Sequence, residues 1–578
     1  MYRALPFFMC FVVASGFLPS APLQGKLPPS LPSIAPTRSF VLPSCPRTCP
    51  LAPLASRALA VRRSTQGGGA GEDLVGTDQV CFDGGCVVED SSVVMQELEA
   101  ELLELSETEK RLRREGALML LDKIRSSEAE DAAPAPPAPA PAPSPPAGQQ
   151  SVISRKLQGR DGPTVWSEFG ALASQRKCVN LGQGFPDWSP PSFVRDAAVE
   201  AIMKGTNQYT RTAGHLPLAR TLAARYRMHL EREVRAETEV AVTVGASQAL
   251  YVSLQSLLEQ GDEVLLMEPF FDLYMGQILL AGGKPVFVPL EPTEEGEWKI
   301  DMKKVEEKVS KKTRIIVLNS PHNPTGKVFS LAEMEALAEI VRKHERIVVI
   351  SDEVYKYIIH TPPEESQDTL GSAGHVHFAR LPGMWDRTLT ISSAGKTFSV
   401  TGWQVGWIIG PSRYLRDIQV LLPFIQFCAA TPMQDALVQV LKQADQPYEG
   451  ERNYYDWLKQ QYTMKKEKLE AALRAANIIP MKGQGGFFLI GDTRNVKVPQ
   501  EYLEESTPAM KTMTRDWALC RWLAKEHGII SIPCSPFYSP ENRHLASNFV
   551  RFAFCKTDET LQEALEAFRV IGQAEQSK

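Results

Sequence analysis

Lys396 stands among small residues in Ser393-Ala-Gly-Lys396-Thr-Phe-Ser-Val-Thr-Gly402-Trp-Gln404-Val-Gly406, directly after the strand-like run Thr388-Leu-Thr-Ile391. A lysine amine attacks a carbonyl only where its free form is accessible and small neighbours leave room. Asp352 follows the apolar run Ile347-Val-Val-Ile350, with Tyr355 three places on. A carboxylate placed there can hold a proton on a nitrogen base. Gly245-Ala246-Ser247 sits between the strand-like Val240–Val244 and a helix-patterned run from Gln248 to Leu258. Backbone N–H groups at such a helix start favour an anion. Arg551, in Phe549-Val-Arg-Phe-Ala-Phe554, carries the planar fork that grips a carboxylate in bidentate fashion. Taken one at a time, these residues have plainer readings. Lys396 alone reads as a solvated surface lysine, Asp352 as a helix N-cap, Asn323-Pro-Thr-Gly326 as a turn, and Arg551 as an edge-strand arginine.

Their joint order changes that. Val179-Asn-Leu-Gly-Gln-Gly184-Phe-Pro-Asp187, Asn207-Gln-Tyr209, Val244-Gly-Ala-Ser-Gln-Ala-Leu250, Glu268-Pro-Phe-Phe271, Asn319-Ser-Pro-His-Asn323-Pro-Thr-Gly326, Ser351-Asp-Glu-Val-Tyr355, the Lys396 string, Gly485-Gly-Phe-Phe488 and Asn548-Phe-Val-Arg551-Phe follow one another along roughly residues 150–575. The set resembles the class I/II pyridoxal-phosphate-dependent aminotransferases of fold type I. Within them it is most similar to the kynurenine aminotransferase, glutamine transaminase K and methionine aminotransferase branch. The resemblance implies an α/β fold: a large domain around a mostly parallel central sheet, plus a smaller α+β domain. It implies pyridoxal 5'-phosphate as cofactor, with Lys396 forming the Schiff base, Asp352 on the ring nitrogen, and Tyr355 and Asn323 on the ring oxygen.

By the same resemblance Gly245, Ala246, Ser247 and Ser393 receive the phosphate, and Phe271 stacks on the ring. Tyr209 reaches the phosphate of a neighbouring subunit, which implies a homodimer. Arg551 holds the substrate carboxylate with Asn323 and the backbone of Gly184, and Trp166 lines the side-chain pocket. Two positions depart from the family pattern. Gln404 stands where a Lys or Arg usually pairs with the phosphate, and Ser247 stands where close animal relatives have tyrosine. The implied activity is transamination between an amino acid (methionine, glutamine, aromatic or kynurenine type) and a 2-oxo acid. The alternatives on the same fold are β-elimination from cysteine S-conjugates and, with Gln404 as its one support, a non-catalytic binding protein.

The elements that must carry these residues are legible as alternating patterns. Val240–Val244, Glu263–Met267, Pro285–Val288, Arg314–Leu318 and Ile347–Ile350 are continuous apolar runs separated by helix-patterned segments. Such runs fit strands buried on both faces of a parallel α/β sheet, whose ligands bind at the carboxyl ends. Residues 191–454 are the expected large domain. Residues 150–190 and 455–578 are the expected smaller one.

The N-terminal quarter reads differently. Residues 1–71 contain no Asp or Glu. Residues 1–16 read as a signal peptide, with an apolar stretch from Leu5 to Val13 ahead of Ala14-Ser-Gly16. Residues 17–72 are rich in Pro, Ser, Ala and Arg, like a transit peptide. This two-part presequence leads to the expectation of a plastid, with a mitochondrion as the alternative. Residues 93–125 read as one amphipathic helix, and the Ala/Pro-rich 132–148 as a semi-rigid linker. A formal charge of −5 gives no electrostatic case for nucleic acid. No apolar run reaches the length that spans a bilayer, so no membrane role is expected for the mature form. The ten cysteines fit no zinc-site spacing and no metal is expected.

Overall fold

The computed structural model describes residues 162–175, 178–360 and 374–576, with Ser154, Leu157 and the short strands 80–82 and 85–87. The presequence, the 93–125 helix and the 132–148 linker all lie outside the described residues. The chain divides into two units, Met1–Ala132 and Ala133–Lys578. In the first, Val80–Phe82 runs antiparallel to Gly85–Val87, with Cys81 opposite Cys86 in the register.

The second unit is built on a seven-stranded sheet. Its strands are β1 (Val240–Val244), β2 (Glu263–Glu268), β3 (Lys284–Pro289), β4 (Thr313–Asn319), β5 (Val348–Asp352), β6 (Thr388–Ser393) and β7 (Val405–Ile409). The spatial order is β1-β7-β6-β5-β4-β2-β3. Neighbours pair in parallel except β7, which is antiparallel to both β6 and β1. The short connection Ala394–Gln404 explains this exception. A parallel return needs a crossover of a dozen or more residues, and a shorter link reverses the strand.

Side chains alternate between faces along a strand, and the core follows. Ile316, Leu318 and Val349 pack on one side, while Ile315, Val317, Val348 and Ile350 pack on the other. On the second face lies α4 (Gly245–Leu257), whose Leu250 and Leu254 are buried. On the first lie α3 (Leu216–Leu230) and α9 (Thr431–Gln443), through Leu222 and Leu437. Each such side chain contributes roughly 1.5–3 kcal/mol on burial. With apolar layers on both faces, polar side chains concentrate at the strand ends.

A four-stranded antiparallel sheet forms beside it: β8 (Ile479–Pro480), β9 (Phe488–Asp492), β10 (Ile532–Pro533) and β11 (Phe549–Ala553), in the order β8-β9-β11-β10. Val179–Asn180 pairs in parallel with Ile529–Ile530, and the Ala553 N–H donates to the Leu181 carbonyl. The segment that precedes the large sheet is thereby stitched to the C-terminal part of the chain. Among the described residues, no helix is long and apolar enough to cross a membrane.

Candidate active site

The carboxyl ends of β4, β5 and β6 bring Asn319, Asp352 and Ser393 to one edge, with Asp352 in register with Asn319 and Ile391. Helix α4 starts at the same edge. Because β7 is antiparallel, its first residue Val405 lies opposite Val244, and Gln404 arrives beside Gly245. This close approach depends on glycine. A Cβ on Gly406 would lie 2.4 Å from the Gly245 carbonyl carbon, and one on Gly245 (φ +70°) would lie 2.5 Å from Gln404 Oε1. Gln404 itself has φ +50°, and its Nε2 donates to the Thr401 carbonyl at 2.5 Å.

A cavity of about 200 Å³ opens there. Gly245, Ala246, Ser247, Ser393 and Gln404 line one end, with Phe271 and Asn323 along the wall. Asp352 lies at its floor, buried, and accepts from the Tyr274 hydroxyl at 2.7 Å and the Val354 N–H at 3.3 Å. Burial pushes its carboxyl up to about 6, against the opposing pull of those two donors. No cation pairs with it among the described residues. Lys396 sits on the short helix α7 (Ala394–Thr397), half-buried, and its Nζ donates to the Gly184 carbonyl at 3.1 Å. Burial lowers its pKa from the usual lysine range, which makes the free amine more accessible. Tyr355 is buried, with its ring edge-on to Phe487 and Phe488, and burial raises its hydroxyl pKa.

The other wall comes from the smaller sheet. Arg551 occupies β11 between Ile490 of β9 and Ile532 of β10, and only 1% of it is exposed. The edge-strand reading of this arginine is therefore excluded. Its Nη1 donates to Asn323 Oδ1 at 3.2 Å and its Nη2 to the Gly182 carbonyl at 3.0 Å. Its Nε has no partner, and no carboxylate pairs with it among the described residues. Burial lowers its pKa to about 10. Its guanidinium lies 4.1 Å from the Phe488 ring centroid and 5.3 Å from that of Trp166. Trp166 Nε1 donates to Asp272 Oδ2 at 2.6 Å. Gly184 leaves no room for a side chain, because a Cβ would meet Phe488 Cζ at 2.3 Å.

All the residues singled out in the sequence line this cavity except Tyr209. Tyr209 is 81% exposed, with its ring edge-on to the exposed Phe427. It does not line this chain's own cavity. Sequence reasoning missed Tyr274 and Asp272. The only available signal was their closeness to Phe271, because their partners Asp352 and Trp166 are distant in sequence.

The arrangement combines a desolvated amine, a buried carboxylate without a counter-ion, a helix start floored by glycine and a buried arginine without an acid. The class I and II aminotransferase model matches residues 176–568. This chain belongs to that family. It is 42% identical over 418 residues to the kynurenine–oxoglutarate transaminase of Dictyostelium discoideum, covering 70% of this chain and 93% of the relative. It is 37% identical to kynurenine–oxoglutarate transaminase 1 of Rattus norvegicus, over 72% of this chain and 97% of that one. Among solved structures, N-succinyldiaminopimelate aminotransferase from Mycobacterium tuberculosis superposes with a TM-score of 0.63 at 35% identity, covering 73% of this chain and all of that one. YbdL of Escherichia coli, with a methionine aminotransferase function, gives a TM-score of 0.63 at 30% identity over 73% of this chain and all of its own.

Aminotransferases of this family use pyridoxal 5'-phosphate to move an amino group between an amino acid and a 2-oxo acid. The residues present fit that cofactor. The glycine-floored start of α4 and the Ser393 hydroxyl suit its phosphate, Asp352 suits a protonated ring nitrogen, and Lys396 suits its carbonyl carbon. Among the described residues, the only lysine or arginine side chains lining the cavity are Lys396 and Arg551. Gln404 offers a neutral amide there. A charge-assisted hydrogen bond contributes roughly 1.5–3 kcal/mol, and about 1.4 kcal/mol is tenfold in affinity. Gln404→Lys is thus expected to tighten cofactor retention about tenfold, followed by absorbance during dialysis. Equal or weaker retention would show that another group already neutralises the phosphate.

Proposed function

We propose that this aminotransferase takes its amino group from donors with uncharged side chains, of the kynurenine, glutamine, methionine or aromatic type. One observation carries this reading. Beyond Lys396 and Arg551, no lysine or arginine among the described residues lines the cavity to receive a second carboxylate, and the wall near Arg551 is the aromatic Trp166 and Phe488. The names of the Dictyostelium and rat relatives are consistent with it.

The roles follow from position. Arg551, fixed by Asn323 and Gly182, binds the α-carboxylate through its fork, and the Gly184 backbone borders the same spot. Trp166, oriented by Asp272, covers the donor side chain and excludes water. Lys396 holds the cofactor and then, as a free amine, moves the proton at the substrate Cα. Asp352 keeps a proton on the ring nitrogen. When bound, pyridoxal phosphate supplies the electron sink for that proton removal. Tyr355 and Asn323 border the ring oxygen, Phe271 the ring face, and Gly245, Ala246, Ser247, Ser393 and Gln404 the phosphate. We place the active unit as a homodimer in which Tyr209 serves the neighbouring phosphate, since an exposed tyrosine beside the exposed Phe427 suits an interface.

The test is a panel of amino donors against several 2-oxo acids, run on protein whose mass is measured by light scattering. Kynurenine, glutamine, methionine and phenylalanine should exceed aspartate and glutamate at least tenfold in kcat/KM, at the mass of two chains. Aspartate turned over as fast as the best uncharged donor would overturn the substrate reading. A mass of one chain in the active fraction would overturn the dimer.

A further inference from the structure

We propose that Glu353, His375 and His377 form a buried site for one divalent transition-metal ion of the zinc type. One ligand atom from each lies within 4.8 Å of the other two, and all three residues are buried. Glu353 Oε2 is 2.6 Å from His377 Nδ1 and 3.2 Å from His375 Nε2. The Ser351 hydroxyl donates to the other carboxylate oxygen at 2.9 Å and fixes the plane of the group. None of the three lines the catalytic cavity.

A second observation points to a ligand. His375 is 1% exposed, yet among the described residues neither ring nitrogen makes a well-directed hydrogen bond, although its Nε2 faces the Glu353 carboxylate at 3.2 Å. A buried imidazole normally satisfies both nitrogens. A metal ion between Nε2 and the Glu353 carboxylate would give this nitrogen a directed bond. Two imidazoles and one carboxylate form a recognised zinc donor set, whereas calcium and magnesium prefer oxygen alone. Bonds of about 2.0–2.2 Å in a tetrahedral site put ligand atoms ~3.3 Å apart. His375 already stands near that spacing, and His377 needs only a small withdrawal. A water would complete the fourth position.

Lys356 is buried beside the cluster, its N–H donating to the Glu353 carbonyl at 3.1 Å and its Nζ to the Tyr226 hydroxyl at 2.8 Å, and His229 stacks on His377 with ring centroids 5.0 Å apart. The site would act on positioning. Glu353 directly follows Asp352, and its N–H donates to the Ile391 carbonyl on β6 at 2.8 Å. Metal would tie this end of β5 to the segment carrying His375 and His377.

The experiment uses untagged holoenzyme, stripped with a chelator, reloaded with Zn²⁺ and desalted, with metal counted by mass spectrometry. The wild type should retain about one Zn²⁺ per chain and gain several degrees in Tm. Co²⁺ in its place should give the visible bands of a four-coordinate ion. Glu353→Gln and His377→Ala should each retain at least fivefold less metal while keeping the cofactor absorbance. Should His377→Ala fail to fold, His377→Gln provides the same comparison with the volume better kept. Folded wild type that retains no metal overturns the proposal, as does retention unchanged in the variants. Either result would leave a metal-free carboxylate–imidazole cluster. None of these readouts depends on transaminase activity, so the two readings fail separately.

Discussion

Lys396→Ala is expected to lower multiple-turnover transamination by at least ~10³-fold, because one amine both holds the cofactor and moves the proton. The visible absorption of a lysine-linked pyridoxal group should disappear with it. The fold should persist. Among the described residues the side chain makes one hydrogen bond, to the Gly184 carbonyl, and its ammonium is disfavoured by burial. Removing a desolvated cation costs little, so Tm should stay within a few degrees. A small primary amine in the buffer should restore part of the rate, since truncation leaves a space into which an amine can diffuse. Turnover like that of the wild type would remove Lys396 from the chemistry.

Asp352→Asn should separate activity from stability. An amide cannot hold a proton on the ring nitrogen, and the lost charge-assisted hydrogen bond corresponds to about a hundredfold in kcat. A loss of only two- or three-fold would make Asp352 a structural residue. The apoprotein should respond in the opposite direction. Burial holds this carboxyl at about 6, above the usual 3.8. A raised folded pKa contributes stability only below the unfolded value, and the contribution is lost as pH rises through about 6. Above pH 6 the wild-type apoprotein therefore carries a buried carboxylate without a counter-ion. Asp352→Asn should stabilise the apoprotein there by up to about 3 kcal/mol, read as Tm against pH. The advantage should vanish below about pH 4. A pH-independent difference would mean that the substitution acts through packing instead.

Much of this molecule is written in short-range pattern. Thr313–Asn319 and Val348–Asp352 are strands because unbroken β-branched and leucine runs suit burial on both faces. Helix α4 begins where a glycine follows a strand, and the family's motifs could be read in order because each is a few adjacent residues. What adjacency does not encode came from tertiary structure. The reversal of β7 brings Gln404 against Gly245, and it follows from how a short link can cross a sheet. The Tyr274–Asp352 bond joins residues 78 apart, Trp166–Asp272 joins residues 106 apart, and Arg551–Asn323 joins residues 228 apart. The lack, among the described residues, of a counter-ion for Arg551 and Asp352, and the meeting of Glu353 with His375 and His377, are likewise invisible in composition. The sequence by itself determined which segments are buried and which local motifs they carry, since hydrophobic periodicity and backbone preference act over a few residues. Which side chains face one another across the core was decided only by the packing of distant segments, and that packing sets the charge balance of both sites.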